Sequence, residues 1–579
     1  MMNSTCKAVA LALATGFAAP GVVLAEDVTT IFEAKRIVTM EPSWPEGRYV
    51  AVRGDMILGV GRTLDDLKAW TDAGPYELDQ TFADKIMLPG FVEPHLHLLL
   101  GALVFPAKFA PPDDWVLPQG LVTGVQTREA FLDRVAEGNA ELQDPDAWLF
   151  VFGHTSAYHG EVTRADLDAI TGDRPIAIIS RSTHVWRLNS AALKITGITQ
   201  DTVAETGMEE FVDLETGVFK EGGATNTLLP KIAPYVMAPE RIQEGLRINK
   251  ATLHKNGVTT VHEPGTGVFS VGRPEDEFAM VAPIYDTDDT PMRTLLSPRA
   301  EMVFARFNDD LQAGLDFMDG LQDLNTDRIA FLPKRAKLYV DGSYVDQVGI
   351  YDAPGYVDGH EGQFMTPPEK IAQYSRALWD AGWAIHVHTM GDKGAQIAVD
   401  TLQALQDEKP RFNHGYVIDH FSSARPADIR RAANLGANIS ALIWPLFSVG
   451  EQFADVVLGA DRVMAGYPLR SVVEAGMPLS IHADTPVSPP QPLMLVWMAV
   501  NRTTASGRVM GEAERLTVDQ ALRAVTIEGA RTIGLNGKVG SIRAGKKADF
   551  VILERDPYKV DPMTIKDIPV WGTVFEGTK

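Results

Sequence analysis

The sequence predicts an α/β protein built around a (β/α)8 barrel, and three observations lead to this prediction. Short apolar, β-branched segments alternate with helical patterns through most of the chain, as in parallel β/α units. Eight such segments are present, enough to close a barrel. Two good helical patterns end at a glycine, Pro239–Asn256 at Gly257 and Pro367–Ala381 at Gly382, which is a common helix stop.

The eight candidate strands are short and mostly apolar, and several end in an ionisable residue. They are Lys85–Pro94, Gly257–Glu263, Arg293–Leu296, Ala336–Asp341, Ala384–Thr389, Tyr416–Phe421, Asn438–Trp444 and Pro478–Asp484. In a barrel of this kind the chemistry collects at the carboxyl ends of the strands.

Two parts of the chain lie outside the barrel pattern, which we assign to residues 85–537. The stretch 101–238 is too long for one β/α connection and has strand and helix patterns of its own. We expect it to form an inserted subdomain beside the active-site mouth. The ends of the mature chain, 26–84 and 538–579, contain short strands with turns and predict a small β-sandwich built from both termini.

Residues 1–25 have the layout of a secretory signal peptide. Lys7 precedes a run of small apolar residues from 8 to 19, and Val23-Leu24-Ala25 resembles a cleavage site. The run is too short to span a bilayer. We expect an exported protein, periplasmic if the source is Gram-negative and extracellular otherwise.

Composition excludes several classes of protein. With 45% hydrophobic and 22% charged residues, the chain is an ordinary globular protein. Its formal charge of -23 opposes binding to nucleic acid. Outside the predicted signal peptide, no apolar run is long enough to predict stable membrane insertion. The single cysteine, Cys6, lies in the predicted signal peptide, so the mature chain has no disulfide or thiolate ligand. We expect a small-molecule substrate as its partner, with a homodimer as a further expectation.

The strongest chemical signal is the segment Leu88-Pro89-Gly90-Phe91-Val92-Glu93-Pro94-His95-Leu96-His97. In an extended strand, residues i and i+2 point to the same side, so His95 and His97 would offer two imidazoles to one ion. A lone pair of strand histidines is often only half-buried packing. The preceding apolar strand and the Pro-Gly pair make the metal interpretation more specific.

Later predicted strands carry further groups that suit a metal ion. Lys337 lies inside an apolar strand, where a lysine is costly unless it is paired or chemically modified. His388, His420 and Asp484 each end a strand. Any one of them alone could be a satisfied core residue, but five strands with such groups favour a metal centre.

With these strands, the sequence resembles the amidohydrolase superfamily, specifically the amidohydrolase 3 (YtcJ-like) group. The resemblance covers essentially the whole mature chain and includes further motifs. They are Thr163-Arg164-Ala165-Asp166-Leu167-Asp168, Asp173-Arg174-Pro175, the run from His184 to Leu193, Gly217-Val218-Phe219-Lys220-Glu221, Ala521-Leu522 with Thr526 and Ala530, and the run from Gly540 to Asp549.

The resemblance implies a site with two metal ions bridged by a carboxylated lysine, and we expect both ions to be zinc. The implied ligands are His95 and His97 for the first ion, His388 and His420 for the second, carboxylated Lys337 between them, and Asp484 at the first ion and the hydrolytic water.

Three positions need comment within this resemblance. His386 is the alternative to His388, which we prefer because the group places its histidine four residues before the aspartate that is Asp392 here. Glu93 stands where the group more often has Asp. His482 stands where a small residue is more usual, so it is expected to shape the pocket.

The donor types support the same chemistry. Histidine and carboxylate ligands without thiolates suit zinc, and also manganese, iron or nickel. Two ions about 3.5–4 Å apart would yield hydroxide near neutral pH, with Asp484 passing a proton to the leaving nitrogen. An unmodified Lys337 would be a cation among metal ions, which is electrostatically unfavourable, and carboxylation would remove this conflict. The alternative to carboxylation is a lysine that turns to solvent or pairs with Asp341.

The substrate pocket is less readable. His184, with Trp186 and Asn189, matches a motif of the group and is expected to meet substrate or the developing oxyanion, although a structural role fits nearly as well. Four aromatic or imidazole side chains of the insertion are candidates for an entrance to the site, with packing as the alternative. They are Trp115, His154, Tyr158 and His159.

These observations predict a secreted, metal-dependent hydrolase that cleaves a C–N bond of an amide, N-acyl or formamide-like small molecule through a metal-bound hydroxide. The same site could open a lactone or other ester, or deaminate a ring. A non-catalytic periplasmic binding or regulatory protein is the alternative of another class. Loss of a ligand would be its signature, whereas every expected ligand position is filled.

Overall fold

The computed structural model describes residues 28–579. The predicted signal peptide, including Cys6, lies outside the described residues. Among the helices of this part of the chain, none is long and apolar enough to cross a membrane.

Two parallel sheets form the centre of the molecule, and we number their strands in chain order. The first sheet has the order β4-β3-β2-β1, with β1 Phe91–Glu93, β2 Val258–Thr266, β3 Arg293–Pro298 and β4 Ile329–Phe331. The second is paired in chain order and contains β5 Arg335–Tyr339, β6 Ala384–Thr389, β7 Val417–His420, β8 Asn438–Ala441 and β9 Leu479–Ile481. Neighbouring strands in both sheets run parallel, which confirms the predicted α/β class.

Helices follow most of these strands, and several of them contact the strands. The longer ones are Pro239–Lys255, Pro274–Tyr285, Leu311–Gly320, Pro368–Asp380, Asp392–Glu408, Pro426–Asn434, Trp444–Gln452 and Pro492–Asn501. Shorter ones are Ala300–Arg306, Ala460–Met464, Leu469–Glu474, Val518–Ala524 and Ile527–Thr532. The two helices predicted to stop at glycines end within two residues of the expected position.

Several strands are shorter than predicted at their carboxyl ends. The bounds of Ala384–Thr389 agree with the prediction, but Pro478–Asp484 is extended only over Leu479–Ile481. The prediction Lys85–Pro94 is divided at Gly90, where a Cβ would collide with the side chain of Thr259. The residues before Gly90 pair with the chain ends, and those after it form β1.

The two central sheets also contact each other at two places. At one, Arg299, directly after β3, forms a parallel bridge with Lys337 of β5. At the other, the Asp484 N–H donates to the His95 carbonyl over 3.1 Å, and the His97 N–H donates to the Thr485 carbonyl over 2.8 Å. The segments that follow β1 and β9 therefore lie side by side.

Both ends of the described chain contribute to one further sheet of six strands. Its order is Val570–Val574, Phe550–Leu553, Tyr76–Pro89, Thr29–Val38, Glu46–Arg53 and Met56–Gly61. One apolar cluster joins side chains from both ends, including Phe32, Phe82 and Phe550. The predicted pairing of the termini is present in this sheet, while the sandwich arrangement itself stays a prediction.

The stretch 101–238 has a sheet of its own. Its six strands, in spatial order, are Val212–Asp213, Val218–Lys220, Val185–Leu188, Ile176–Ser180, Leu149–His154 and Lys108–Phe109, and a hairpin pairs Trp115–Leu117 with Gly120–Val122. Several hydrogen bonds connect this insertion to the centre of the molecule, and two of them lie near the strands' carboxyl ends. The Tyr158 hydroxyl donates to the Ser448 carbonyl over 2.5 Å, and Arg181 Nε donates to the Val487 carbonyl over 2.9 Å.

One glycine sets how closely two helices pack beside β1. The helix Leu98–Val104 begins directly after His97 and lies against Pro239–Lys255. A Cβ on Gly245 would collide with the backbone of Ala102, and backbone atoms cannot move aside as a flexible side chain can. Because Gly245 has no side chain, the helix Leu98–Val104 can pack closely against it. This packing helps to position His97, which lies at the start of that helix.

We expect Gly245→Ala to lower the melting temperature. Alanine would gain about 0.5–1 kcal/mol of helix propensity over glycine, but overpacking against backbone typically costs about 1–3 kcal/mol. Gly74→Ala is the matched control, since nothing lies within 4 Å of the added carbon. Equal melting temperatures for the two variants in differential scanning calorimetry would contradict the packing argument.

Candidate metal centre

Two histidines and a carboxylate converge after β1 and β9. Asp484 Oδ1 lies 3.3 Å from His97 Nε2 and 3.6 Å from His95 Nε2. One ligand atom from each of the three residues lies within 4.8 Å of the others. All three side chains are buried or nearly so, so the group is shielded from bulk water.

His95 and His97 reach this position from a loop, which corrects part of the sequence argument. Strand β1 ends at Glu93, and His97 is already the N-cap of the helix Leu98–Val104. The alternation of side chains along a strand therefore does not explain their shared direction. The rings are nevertheless adjacent, with centroids 5.4 Å apart, because the loop turns both of them toward Asp484.

The second pair of predicted histidines lies on the other side of Asp484. His420 Nδ1 is 3.8 Å from Asp484 Oδ2, and the His388 ring centroid is 4.3 Å from that of His420. The two oxygens of Asp484 thus face different histidines. Four predicted histidines and Asp484 form one buried cluster.

The structure distinguishes His388 from His386 by their partners. His386 Nε2 accepts from Arg335 over 2.8 Å, so its Nδ1 carries the proton and donates to Asp419 Oδ1 over 3.2 Å. Neither nitrogen is left for an ion. Both ring nitrogens of His388 are buried without a hydrogen-bond partner among the described residues.

Lys337 is fully buried beside the cluster and pairs with the carboxylate of Asp419. The Asp341 carboxylate, an alternative partner from the sequence, instead accepts from the N–H groups of Ile350, Met390 and Gly391. Asp419 Oδ2 also lies 3.6 Å from His95 Nδ1. Although burial would raise the pKa of Asp419, Lys337 and the nearby histidines hold it well below its ordinary value.

Carboxylates behind the cluster orient its members. Glu263 Oε1 is 2.7 Å from His97 Nδ1, and its Oε2 accepts from the Leu98 N–H over 2.6 Å. The second ring nitrogen, Nε2, is thereby aimed at Asp484. A partner on the far nitrogen is a regular feature of metal-binding histidines. Glu93 accepts from the Ala483 N–H over 3.1 Å and so supports the segment before Asp484.

Two residues of the cluster have unusual backbone conformations. His420 has φ 66° and Asp484 has φ 55°, in the left-handed region that non-glycine residues rarely adopt. Such conformations cost free energy and concentrate at functional sites. His420 is the last residue of β7, and Asp484 lies three residues after β9, so a turn at each place directs the side chain into the cluster.

The electrostatics of the cluster suit ligands for a cation. Burial would raise the pKa of Asp484, but the hydrogen bond from His97 and the charges of His420 and His95 hold it well below its ordinary value. Burial lowers the pKa of His388 and His420. The carboxylate is therefore an anion and these imidazoles are neutral, as metal coordination requires.

Unpartnered atoms test whether these residues fit a metal ion. Both ring nitrogens of His95, both of His388, and Asp484 Oδ1 are buried without a hydrogen-bond partner in the described part of the chain. Each such atom ordinarily costs about 1–3 kcal/mol. Their concentration in one place, with nitrogen and oxygen donors only, fits a divalent ion of the zinc, manganese, iron or nickel type.

A protein-family model described as "Amidohydrolase family" matches residues 83–578. The chain belongs to the amidohydrolase family. This confirms the resemblance found in the sequence, and the match includes the residues of the metal-compatible cluster.

Individual relatives agree with this assignment. N-substituted formamide deformylase of Arthrobacter pascens is 27% identical over 519 residues, which cover 85% of this chain and 88% of that protein. Protein LONG AFTER FAR-RED 3 of Arabidopsis thaliana is 26% identical over 539 residues, which cover 90% and 86%. A crystal structure of an uncharacterized metal-dependent hydrolase from Pyrococcus horikoshii has a TM-score of 0.70 at 20% identity, with 92% of this chain and 99% of that chain covered. That likeness concerns the fold.

His184 of this amidohydrolase lies at the edge of the cluster. Its Nδ1 is 2.7 Å from Glu221 Oε2, and its ring is only partly buried. Burial would lower the pKa of His184, but Glu221, with smaller contributions from Asp346 and Asp484, raises it to about 9. His184 is therefore a cation at neutral pH, held by Glu221 at one nitrogen.

The other substrate candidates are placed differently. Trp115 is fully buried among Phe105, Phe109 and Phe152, so it packs the insertion and does not line an opening. Tyr158 binds the Ser448 carbonyl and thereby connects the insertion to the helix Trp444–Gln452.

The two histidines of the insertion also have internal partners. His154 Nε2 lies 3.1 Å from the Gly160 carbonyl, and His159 Nε2 lies 2.8 Å from the Val125 carbonyl. Both rings contact Phe131. Neither belongs to the metal-compatible cluster, so both are used in packing the insertion.

His482, by contrast, lies within the cluster. Its ring stacks on His95 at 4.5 Å between centroids, and its Nε2 is 3.1 Å from His420 Nδ1. Asp419 and Glu263 are the residues of this site that the sequence argument passed over. Asp419 could have been predicted from its position on an apolar strand next to His420. No local sequence pattern connects Glu263 with His97.

Metal binding should release at least one proton near neutral pH. Burial would lower the pKa of His97, but Glu263 and Asp484 raise it to about 10, so the metal-free protein holds a proton that an ion must displace. Apparent affinity should rise up to about tenfold per pH unit between pH 6 and 8. Isothermal titration in buffers of different ionisation enthalpy counts the proton.

Glu263→Gln is the control for this proton. It removes the carboxylate that raises the pKa of His97, so the proton count should fall together with the slope of affinity against pH. A pH-independent affinity in the unaltered protein would show that His97 does not bind the ion.

Proposed function

We propose that the chain is a metal-dependent hydrolase that cleaves the C–N bond of an amide, N-acyl or formamide-like small molecule. The observation that carries the proposal is the set of buried, unpartnered donor atoms on His95, His388 and Asp484 in a member of the amidohydrolase family. The similarity to N-substituted formamide deformylase over 85% of the chain supports a formamide or N-acyl substrate.

The proposal includes a closed eight-stranded barrel made of β1–β3 and β5–β9. The bridge from Arg299 to Lys337 and the hydrogen bond from Asp484 to His95 connect the two parallel sheets at two places. Closure would bring the carboxyl ends of all eight strands to one face, where such enzymes hold their active sites.

His95 and His97 would hold a first ion and His388 and His420 a second, with Asp484 facing both pairs. When bound, such ions lower the pKa of water and polarise a carbonyl group. Asp484 is anionic in this environment, so its carboxylate can accept a proton from the attacking water. The same group then donates that proton to the leaving nitrogen, as a general acid–base does.

Carboxylation of Lys337 would complete the ligand set, and zinc is our proposed metal. The amine is fully buried, its hydrogen-bonding partner Asp419 is an anion, and its charge contributes to the lowered pKa of His95, His388 and His420. An added carboxylate would change a cation that repels metal ions into an anion that binds them. Asp419 would then keep its contacts with His386 and lose the ion pair.

His184 would position the substrate. Glu221 fixes its Nδ1, so the outward nitrogen, Nε2, remains to donate a hydrogen bond. A cationic donor near Asp484 suits the oxygen of a carbonyl group that gains negative charge during attack. The charge of Asp346 also helps to keep His184 protonated.

Secretion is proposed on the sequence of residues 1–25. N-terminal sequencing of the protein purified from its host should find a mature chain that begins near Glu26. An intact Met1 on exported or total protein would reject this part of the proposal.

Lys337→Ala should bind fewer ions than the unaltered protein. Elemental analysis of zinc-reconstituted protein should give about two ions per chain before the change and fewer after it. Lys370→Ala, which removes an exposed lysine, is the control and should keep both. Acetate or formate should restore part of the lost metal if a carboxylate is what Lys337 supplies. Full retention of both ions would reject the bridging role.

Asp484→Asn should abolish turnover without unfolding the protein. The amide keeps the shape of the carboxylate but cannot accept the proton, and losses of about 10²–10⁴-fold are typical of a missing general base. Hydrolysis of N-substituted formamides, N-acyl amines and lactones would be compared with and without a chelator. Near-normal rates in the variant would remove Asp484 as the base, and activity on lactones alone would reject the C–N assignment.

A further inference from the structure

His482 lies inside the metal-compatible cluster, although the sequence predicted only that it would shape the pocket. It is fully buried, and β9 ends at Ile481 just before it. A buried imidazole needs partners for both nitrogens, and those partners indicate its role.

One nitrogen of His482 has a partner that leaves the other available. Nδ1 lies 2.8 Å from the Ser440 hydroxyl, which accepts a hydrogen bond from Nδ1–H when Nε2 carries the lone pair. Metal-binding histidines regularly have such a partner on the far nitrogen, because it sets the tautomer and the direction of the ring. Ser440 is buried on β8 and is therefore a fixed support.

The free nitrogen faces two other histidines of the cluster. Nε2 of His482 lies 3.1 Å from His420 Nδ1, and one nitrogen from each of His95, His420 and His482 lies within 4.8 Å of the others. Two imidazole nitrogens on one tetrahedral zinc ion are about 3.3 Å apart, given bonds of about 2.0–2.1 Å. The separation of His420 and His482 matches that value.

An independent observation points to a ligand at the same place. Both ring nitrogens of His95 are buried and have no hydrogen-bond partner in the described chain, although the ring is stacked on His482. An imidazole placed only for packing would leave two polar atoms unsatisfied, which is costly. A cation held among these rings would satisfy one of them, since each residue offers one ligand atom to it.

We propose that His482 is a further metal ligand of this enzyme, binding the same ion as His420. The inference rests on the proposed metal-dependent function and deepens it. An additional imidazole makes this position richer in nitrogen, which favours zinc over oxygen-preferring ions such as manganese or magnesium. Ser440 would orient the new ligand from behind.

The decisive experiment is a crystal structure of the zinc-loaded, unaltered protein with anomalous diffraction at the zinc edge. We expect His482 Nε2 within bonding distance of an ion that His420 also binds. An ion bound by His420 with His482 Nε2 still hydrogen-bonded to His420 would overturn the inference and leave the hydrolase proposal standing. If no ion binds to the cluster at all, both proposals fail.

Metal affinity in variants supplies the second measurement. His482→Ala should weaken one of the bound zinc ions by more than about 100-fold, since removal of an outer partner alone costs about 10–100-fold. His482→Gln is the matched control: its side-chain oxygen can accept a hydrogen bond from His420 but is a poor zinc ligand. Recovery of affinity with glutamine would show that His482 only positions His420. Loss in both variants, with the first ion and the melting temperature retained, supports a direct ligand.

Discussion

The burial of many ionisable groups around Asp484 is the constraint on which the rest of the structure depends. Asp484 Oδ1 faces His95 and His97, while Oδ2 faces His420. Such groups are expensive to remove from water unless each is paired or binds a cation. The residues around the cluster therefore either neutralise it, orient it or keep water out.

A chain of buried contacts neutralises one side of the cluster. Arg335 donates to His386, His386 donates to Asp419, and Asp419 pairs with Lys337. Removal of one member of such a buried pair leaves an uncompensated charge, which typically costs about 3–5 kcal/mol. The adjacent strands β5, β6 and β7 each supply a member, so the network also ties the second sheet together.

The insertion also contributes to the site, because it brings polar residues to the edge of the metal-compatible cluster. Arg181 contacts the Val487 carbonyl, a few residues beyond Asp484. His184 stands nearby with its Nδ1 held by Glu221. Trp115, His154 and His159, which were candidates for an entrance, instead pack inside the insertion, and Tyr158 connects it to the helix Trp444–Gln452.

The sequence by itself determined the fold class, the family and the set of residues gathered in the cluster. Alternating apolar segments predict parallel strands, and His95, His97, Lys337, His388, His420 and Asp484 stand out because ionisable groups are rare at the ends of apolar strands. These signals are local, since each depends on the residue type and its immediate neighbours. The same local reading placed His95 and His97 on a strand, whereas a loop carries them.

Only the tertiary structure decided which partner each group has. Lys337 meets Asp419 rather than Asp341, Glu263 lies behind His97, and His386 rather than His388 is consumed by neighbours. It also placed Trp115 in an apolar interior. The physical reason is that hydrogen bonds and ion pairs act over about 3–4 Å, between residues that the chain separates by tens to hundreds of positions.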